Sequence, residues 1–362
     1  TSPEFNVNIS QLPFCALTIY YFWKSINKNR LLDWFLFGFF SALGFLSKYF
    51  FVYLLFTLLI YLVLNHQIYK KIYLNYFFSL IVSLLIISPH LKWLIENDFV
   101  TILYGFNRTG LISSSFPEIT EQLNNTNLNF QDSLENININ FKNHLINPII
   151  FILKQFIILV PFFLISISLF KNYKIKINLK NKKIFFLICI NLIPLILIFI
   201  TAILTGAKIR TMWMTPFYLF LGVLIIYLFN KNIVQKNYKK FFIIFIFYFL
   251  LSPISYLTIS LKDDTKRTDY PGKEISRLVQ NKWDENFRNE IKIVIGDEWS
   301  AGNLSYHLNS RPKWTQSLKS SILRVGVNEG VIYTGNPQIL KKVCPGVFGV
   351  IRPVGYCMIG QK

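Results

Sequence analysis

The chain has 362 residues, of which 53% are hydrophobic, 17% aromatic and only 15% charged, with a formal net charge of +20. So apolar a chain with so few charges is excluded as an ordinary soluble core and reads as a multi-span membrane protein. The positive charge does not point to nucleic acid, because its lysines and arginines fall in short loops between apolar runs.

The N-terminal stretch "TSPEFNVNISQ" has no Met, no basic start and no signal-peptide pattern, and it reads as part of a loop. The chain is therefore expected to be a fragment of a longer protein. Apolar runs follow at 10–23, 31–47, 49–64, 72–88, 148–170, 184–204, 212–229 and 241–261. The second and third are nearly continuous, from Leu31 to Leu64, with Lys48 in the middle. As one helix this stretch would be roughly 51 Å long, against a hydrocarbon core of about 30 Å. Two spans meeting at Ser47 and Lys48 resolve the mismatch. Lys48 then sits at a membrane surface, where it escapes the cost of at least ~2.5 kcal/mol at mid-bilayer.

The loops between the runs alternate in charge. Loops 24–30, 65–71, 171–183 and 230–240 carry 15 lysines and arginines and no acid. The long loop 89–147 is net acidic, with Lys92, Arg108 and Lys142 against Glu96, Asp98, Glu118, Glu121, Asp132 and Glu135. The positive-inside rule puts the four basic loops in the cytoplasm and both ends of the chain outside. Eight spans satisfy that assignment. On this reading the basic loops are topology signals only.

In loop 89–147, Pro89 is expected to stop the preceding helix and to leave His90, Lys92 and Trp93 at the interface. Leu134, Ile137, Phe141 and Leu145 recur at helical spacing, as in an amphipathic helix lying on the external surface. "TGAKIRTMWMTP" (205–216) brings Lys208, Arg210 and Trp213 to another external turn. Residues 262–362 change character. "YPGKEISRLVQNKWDENF" (270–287) has helical spacing, "IKIVIGD" (291–297), "GVIYTG" (330–335) and "GVFGVI" (346–351) read as strands, and "AGNLSYHL" (301–308) as a helix. The organisation expected is a transmembrane helical domain, 1–261, and a small external α/β domain, 262–362.

Cysteines and histidines limit the chemistry. Cys15 and Cys189 lie in apolar runs. Cys344 and Cys357 flank "PGVFGVIRPVGY", a spacing that suits either a disulfide across a hairpin or two free thiols. Four scattered histidines and no CxxC or HExxH spacing make a metal site unexpected.

The polar groups near the apolar runs thus gather on one side. Lys48, His90, Arg108, Lys208 and Arg210 supply cations, and Tyr49, Trp93 and Trp213 supply aromatic rings. Such a set suits an anionic lipid head group, a phosphate or pyrophosphate. Each residue also has a plainer reading. Trp93 and Trp213 fit interfacial belt anchors, and Lys92 and Arg210 fit snorkelling or solvated side chains.

"DWFLFGFFSALGFLSKYFFVYLL" (33–55), with Trp34, Gly38, Ala42, Leu46, Ser47 and Lys48, resembles a segment of bacterial membrane glycosyltransferases related to protein O-mannosyltransferases and the aminoarabinose transferase. "SPHLKWLIENDF" (88–99), "GAKIRTMWMTP" (206–216) and "GDEWSAGNLSYHLNSRPKW" (296–314) resemble stretches at comparable places. The resemblance implies an all-α polytopic membrane bundle of GT-C type, with about eight transmembrane helices and a small C-terminal external α/β domain. It implies an inverting enzyme of the bacterial inner membrane that takes a sugar from a polyprenyl-phosphate donor and passes it to a lipid, glycan or protein acceptor. It implies no resident cofactor. The acidic base would lie upstream of this fragment, and Asn8 stands where an Asp is common. Lys48 and Lys208, with His90, Arg108 and Arg210, would hold the donor phosphate. A polyprenyl-lipid flippase or an oligosaccharide ligase remains the alternative.

Overall fold

A computed structural model describes residues 6–69, 72–97, 99–110, 141–170, 177–229, 232–262, 270–315, 329–351 and 354–362. The acids at 98, 118, 121, 132 and 135 lie outside the described residues, as do Lys70, Lys71, Lys171, Lys174, Lys176 and Lys231. The described residues form two compact units, one up to Ser255 and one from Tyr256.

The first unit is helical. Its helices are α1 (Val7–Lys28), α2 (Leu31–Ser47), α3 (Val52–Leu64), the single turn α4 (His66–Tyr69), α5 (Tyr73–Glu96), α6 (Val100–Thr109), α7 (Phe141–Ile167), α8 (Lys182–Thr205), α9 (Leu221–Phe229) and α10 (Tyr238–Lys262). Each of the eight apolar runs becomes helix. Four described helices, α5, α7, α8 and α10, are long and apolar enough to cross a bilayer. A fifth span arises if the 3-10 segment Thr211–Tyr218 and α9, bent by 49°, count as one. Helices α2 and α3 are shorter apolar helices, and α1 carries polar Asn8, Gln11, Thr18, Ser25 and Lys24 among its apolar residues. The protein is thus an all-α polytopic membrane protein with a small sheet. Large apolar side chains on α10, such as Phe242, Phe247 and Phe249, are exposed, as suits a lipid-facing surface.

Helices α1, α2 and α5 pack around small residues. A Cβ on Gly38 would lie 2.4 Å from the Ser79 carbonyl oxygen of α5, so only glycine permits this approach. The Ser83 hydroxyl donates to the Gly38 carbonyl at 2.7 Å across the same contact. Trp34, fully buried, donates its indole N–H to Asn29 Oδ1 at 3.0 Å. At the opposite end of α2 from Lys48, Lys24 pairs with the buried Asp33 carboxylate at 2.8 Å. Lys24 is therefore more than a topology signal, since it neutralises an acid that would otherwise be buried alone.

Two sequence expectations are corrected. Pro89 does not stop its helix, because α5 runs through it to Glu96. Proline leaves the Leu85 carbonyl without its backbone donor, and the Ser88 hydroxyl donates to that carbonyl at 2.8 Å instead. Phe141 and Leu145 do not belong to a separate surface helix. They open α7, which continues through Pro148 into the long apolar run. Leu134 and Ile137 lie outside the described residues. Helix α6, inside the expected loop, was not anticipated.

The second unit contains α11 (Gly272–Asn286), β1 (Ile291–Ile295), α12 (Ser300–His307), β2 (Lys313–Thr315), β3 (Gly330–Gly335), α13 (Pro337–Val343), β4 (Val347–Ile351) and β5 (Val354–Ile359). The sheet order is β2-β1-β3-β5-β4. Strand β1 is parallel to β2 and β3, whereas β5 is antiparallel to β3 and β4. Ile275, Val279 and Trp283 of α11 pack with Val294, Ile332, Tyr356 and Met358 in one core. A disulfide joins Cys344, at the end of α13, to Cys357 of β5, with Cα atoms 5.6 Å apart.

Candidate functional site

The apolar run 31–64 breaks at Lys48. Helix α2 ends at Ser47, whose hydroxyl donates to the Gly44 carbonyl at 2.7 Å. Lys48 is extended (φ −168°, ψ 127°), and Tyr49–Phe51 form a 3-10 turn leading into α3. Gly44 makes this turn possible. Its missing Cβ leaves room for the buried Phe51 ring, which a Cβ would meet at 2.3 Å.

Helix α1 and the 3-10 segment Thr211–Tyr218 close over the turn. Lys48 Nζ donates to Asn8 Oδ1 at 2.6 Å, and Gln11 Nε2 donates to the Lys48 carbonyl at 3.3 Å. Asn8 is 5% exposed and Gln11 1%. The ammonium lies 4.6 Å from the centre of the Trp213 ring and 5.4 Å from that of Phe50, and the two rings meet edge to face. Burial first, and the Arg210 charge second, pull the Lys48 pKa down from 10.5 to about 7. Among the described residues no carboxylate is paired with Lys48. The Lys48 ammonium thus lies between aromatic rings, felt by the Arg210 charge, with a neutral amide as its hydrogen-bond acceptor. An anion beside it would restore the ammonium's ordinary basicity and complete its hydrogen bonds.

A second cluster adjoins the turn. The Tyr49 hydroxyl lies 2.6 Å from His90 Nε2 and 2.7 Å from Thr101 Oγ1. The His90 ring stacks on Trp93 at 5.6 Å. This links the last turns of α5, the start of α6 and the Lys48 turn. His90 is engaged here through its Nε2. Arg108 Nε donates to the Tyr104 hydroxyl at 2.8 Å, one turn back on α6. The Lys208 backbone N–H donates to the Thr109 carbonyl at 2.9 Å. His144 Nδ1 meets the Ile203 carbonyl at 2.7 Å, and Asn147 Nδ2 donates to the Gly206 carbonyl at 2.7 Å, so α7 holds the same connection. Exposed Lys92 faces Glu96 at 3.9 Å within its own helix.

Of the residues singled out in the sequence, Lys48 and Trp213 come together, with the Arg210 charge near enough to act on Lys48. Tyr49, His90 and Trp93 form the neighbouring cluster, and Arg108 and Lys208 lie at the α6 end. Sequence reasoning missed Gln11, Phe50 and Thr101, and it left Asn8 without a role. Asn8 and Gln11 are one helical turn apart at the edge of the first apolar run, in a stretch that reads as a loop, and that spacing was the available signal. Among the described residues no group of three or more His, Cys, Asp or Glu side chains could hold a metal ion.

Residues 1–93 match a family model described as dolichyl-phosphate-mannose-protein mannosyltransferase. The match covers α1, α2, α3 and most of α5, and so contains both Asn8 and Lys48. It is a similarity to that family over residues 1–93 alone, well under half of the chain. No curated protein and no solved structure matches the chain.

Proposed function

We propose that this protein transfers a sugar from a polyprenyl-phosphate donor to a lipid, glycan or protein acceptor at the external face of the bacterial inner membrane. The supporting observation is Lys48, half-buried against Trp213 and Phe50 and within the electrostatic reach of Arg210, with no carboxylate paired to Lys48 among the described residues. The acceptor's nucleophilic atom forms a bond to the anomeric carbon as the bond from that carbon to the phosphate oxygen breaks. The electron pair leaves with the polyprenyl phosphate, whose negative charge grows in the transition state. Cations already held at that place need no reorganisation and lower the barrier. The base that takes the acceptor's proton is not assigned to any residue of this sequence.

Asn8 accepts from the Lys48 ammonium without neutralising it, and so aims the cation while leaving its charge for the donor. Arg210 and Lys208 enter on the connection between α8 and the 3-10 segment. His90, Tyr49 and Trp93 brace the turn, and Arg108 stands at the end of α6. The test is Lys48→Gln, with transfer measured against a defined polyprenyl-phosphate sugar. Losing one charge-assisted contact to phosphate, roughly 1.5–3 kcal/mol, slows transfer about 10- to 150-fold. Full activity in Lys48→Gln with normal folding rejects the assignment.

A further inference from the structure

The second unit holds a cleft of about 840 Å³ between α11 and the end of α12. Helix α11 is anchored on one side, where Ile275, Val279 and Trp283 are buried in the core. The cleft side presents Lys273, Arg277, Gln280 and Asp284, spaced three or four residues apart so that they share a face. Gln280 Nε2 donates to Asp284 Oδ1 at 2.9 Å and so orients that carboxylate. His307 and Asn309 form the opposite wall, and the Tyr270 ring, packed edge to face on Trp299, closes one end.

The size is that of a small-molecule site, about 300–1,000 Å³, but such sites are usually lined by apolar groups. Here polar and charged side chains share the lining with a somewhat larger apolar surface, a mixture that does not suit a wholly apolar acyl chain. Its charges balance: Lys273 and Arg277 stand against Glu274 and Asp284. That balance disfavours a phosphate or a polyanion, which the Lys48 pocket would accept. Among the described residues neither Arg277 nor Lys273 has a carboxylate at ion-pair distance, so the guanidinium's paired donors remain available. Donors and acceptors from Arg277, Asn281 and Asp284 on α11 and from Asn309 across the cleft, with the Tyr270 and His307 rings to lie against C–H faces, match a neutral ligand dense in hydroxyls.

We infer that this cleft is a carbohydrate-binding site for a neutral oligosaccharide. As a docking place for a glycan acceptor it rests on the transferase reading above; the binding of sugar itself does not. The test uses the full chain in lipid nanodiscs and saturation-transfer NMR with three neutral probes, mannotriose, chitotriose and maltotriose. Saturable binding of at least one is expected, weakened roughly tenfold in both Arg277→Ala and Asp284→Ala and unchanged in Lys48→Gln. Both cleft residues are exposed, so their variants should melt like the parent. If either melts lower, the exposed Asn281→Ala on the same helix decides. Binding of none of the probes overturns the inference, as does binding that survives the cleft substitutions. Binding lost only in Lys48→Gln moves the sugar to the first unit and leaves the transferase reading standing, whereas intact transfer in that variant rejects the latter alone.

Discussion

The Lys48 ammonium and the Asn8 carboxamide oxygen are 2.6 Å apart although forty positions separate them in sequence. Helix α1 thereby supplies the acceptor, and the break between α2 and α3 supplies the cation. Asn8 leaves the charge of Lys48 intact, which an aspartate at the same place would offset.

A titration follows from the burial of this ammonium and the Arg210 charge that acts on it. The Lys48 pKa is lowered to about 7, so the ammonium is charged below that pH and progressively neutral above it. Donor binding needs the charged form. kcat/KM should therefore fall as pH rises through about 7 on account of this group. Lys48→Arg, whose guanidinium stays charged, should retain partial activity and lose that descending limb. A limb unchanged in Lys48→Arg would mean another group causes it.

Tyr49→Phe should loosen the turn. The substitution removes the hydroxyl that lies between His90 Nε2 and Thr101 Oγ1, two contacts worth about 1 kcal/mol each. A lower melting temperature with a modest fall in activity is expected. An unchanged melt would show that the α5–turn–α6 link carries no stability.

Gly38→Val should separate α2 from α5. Its Cβ would sit 2.4 Å from a backbone oxygen, which no side-chain rotation relieves. A loss of roughly 1–3 kcal/mol follows from such overpacking. Thermal melting in detergent measures it, and Gly105→Val, where a Cβ meets nothing within 4 Å, is the matched control.

The Cys344–Cys357 bond predicts a count of thiols. Alkylation of the denatured, unreduced chain should label only Cys15 and Cys189, and reduction should add two labels. Reduction should also destabilise the second unit by about 2–4 kcal/mol. Four labels without reductant would mean free thiols.

Topology is tested by accessibility. A cysteine at Asn309 should react with an impermeant reagent on intact cells, and one at Asn178 should not, since the lysine- and arginine-rich loops are expected inside. The reverse pattern would invert the assignment.

Composition and periodicity were enough to identify a polytopic helical chain, because lipid demands long apolar runs with every backbone group satisfied internally. The same length argument placed the break at Lys48, where one helix would overrun the bilayer, and periodicity located the first two helices and three of the strands of the second unit, while helix Pro337–Val343 went unread. Short β2 and the interrupted "VGYCMI" of β5 went unread, because their strand state comes from pairing with neighbours rather than from their own alternation. Pro89 was misread for a related reason: the Ser88 hydroxyl that compensates for it acts only once the helix exists. The interfacial cations were legible as a list of residue types. Which of them share a pocket was not, since Asn8, Lys48 and Trp213 lie on three segments far apart in sequence, and only helix packing through the missing side chain of Gly44 and its neighbours brings them within a few ångströms.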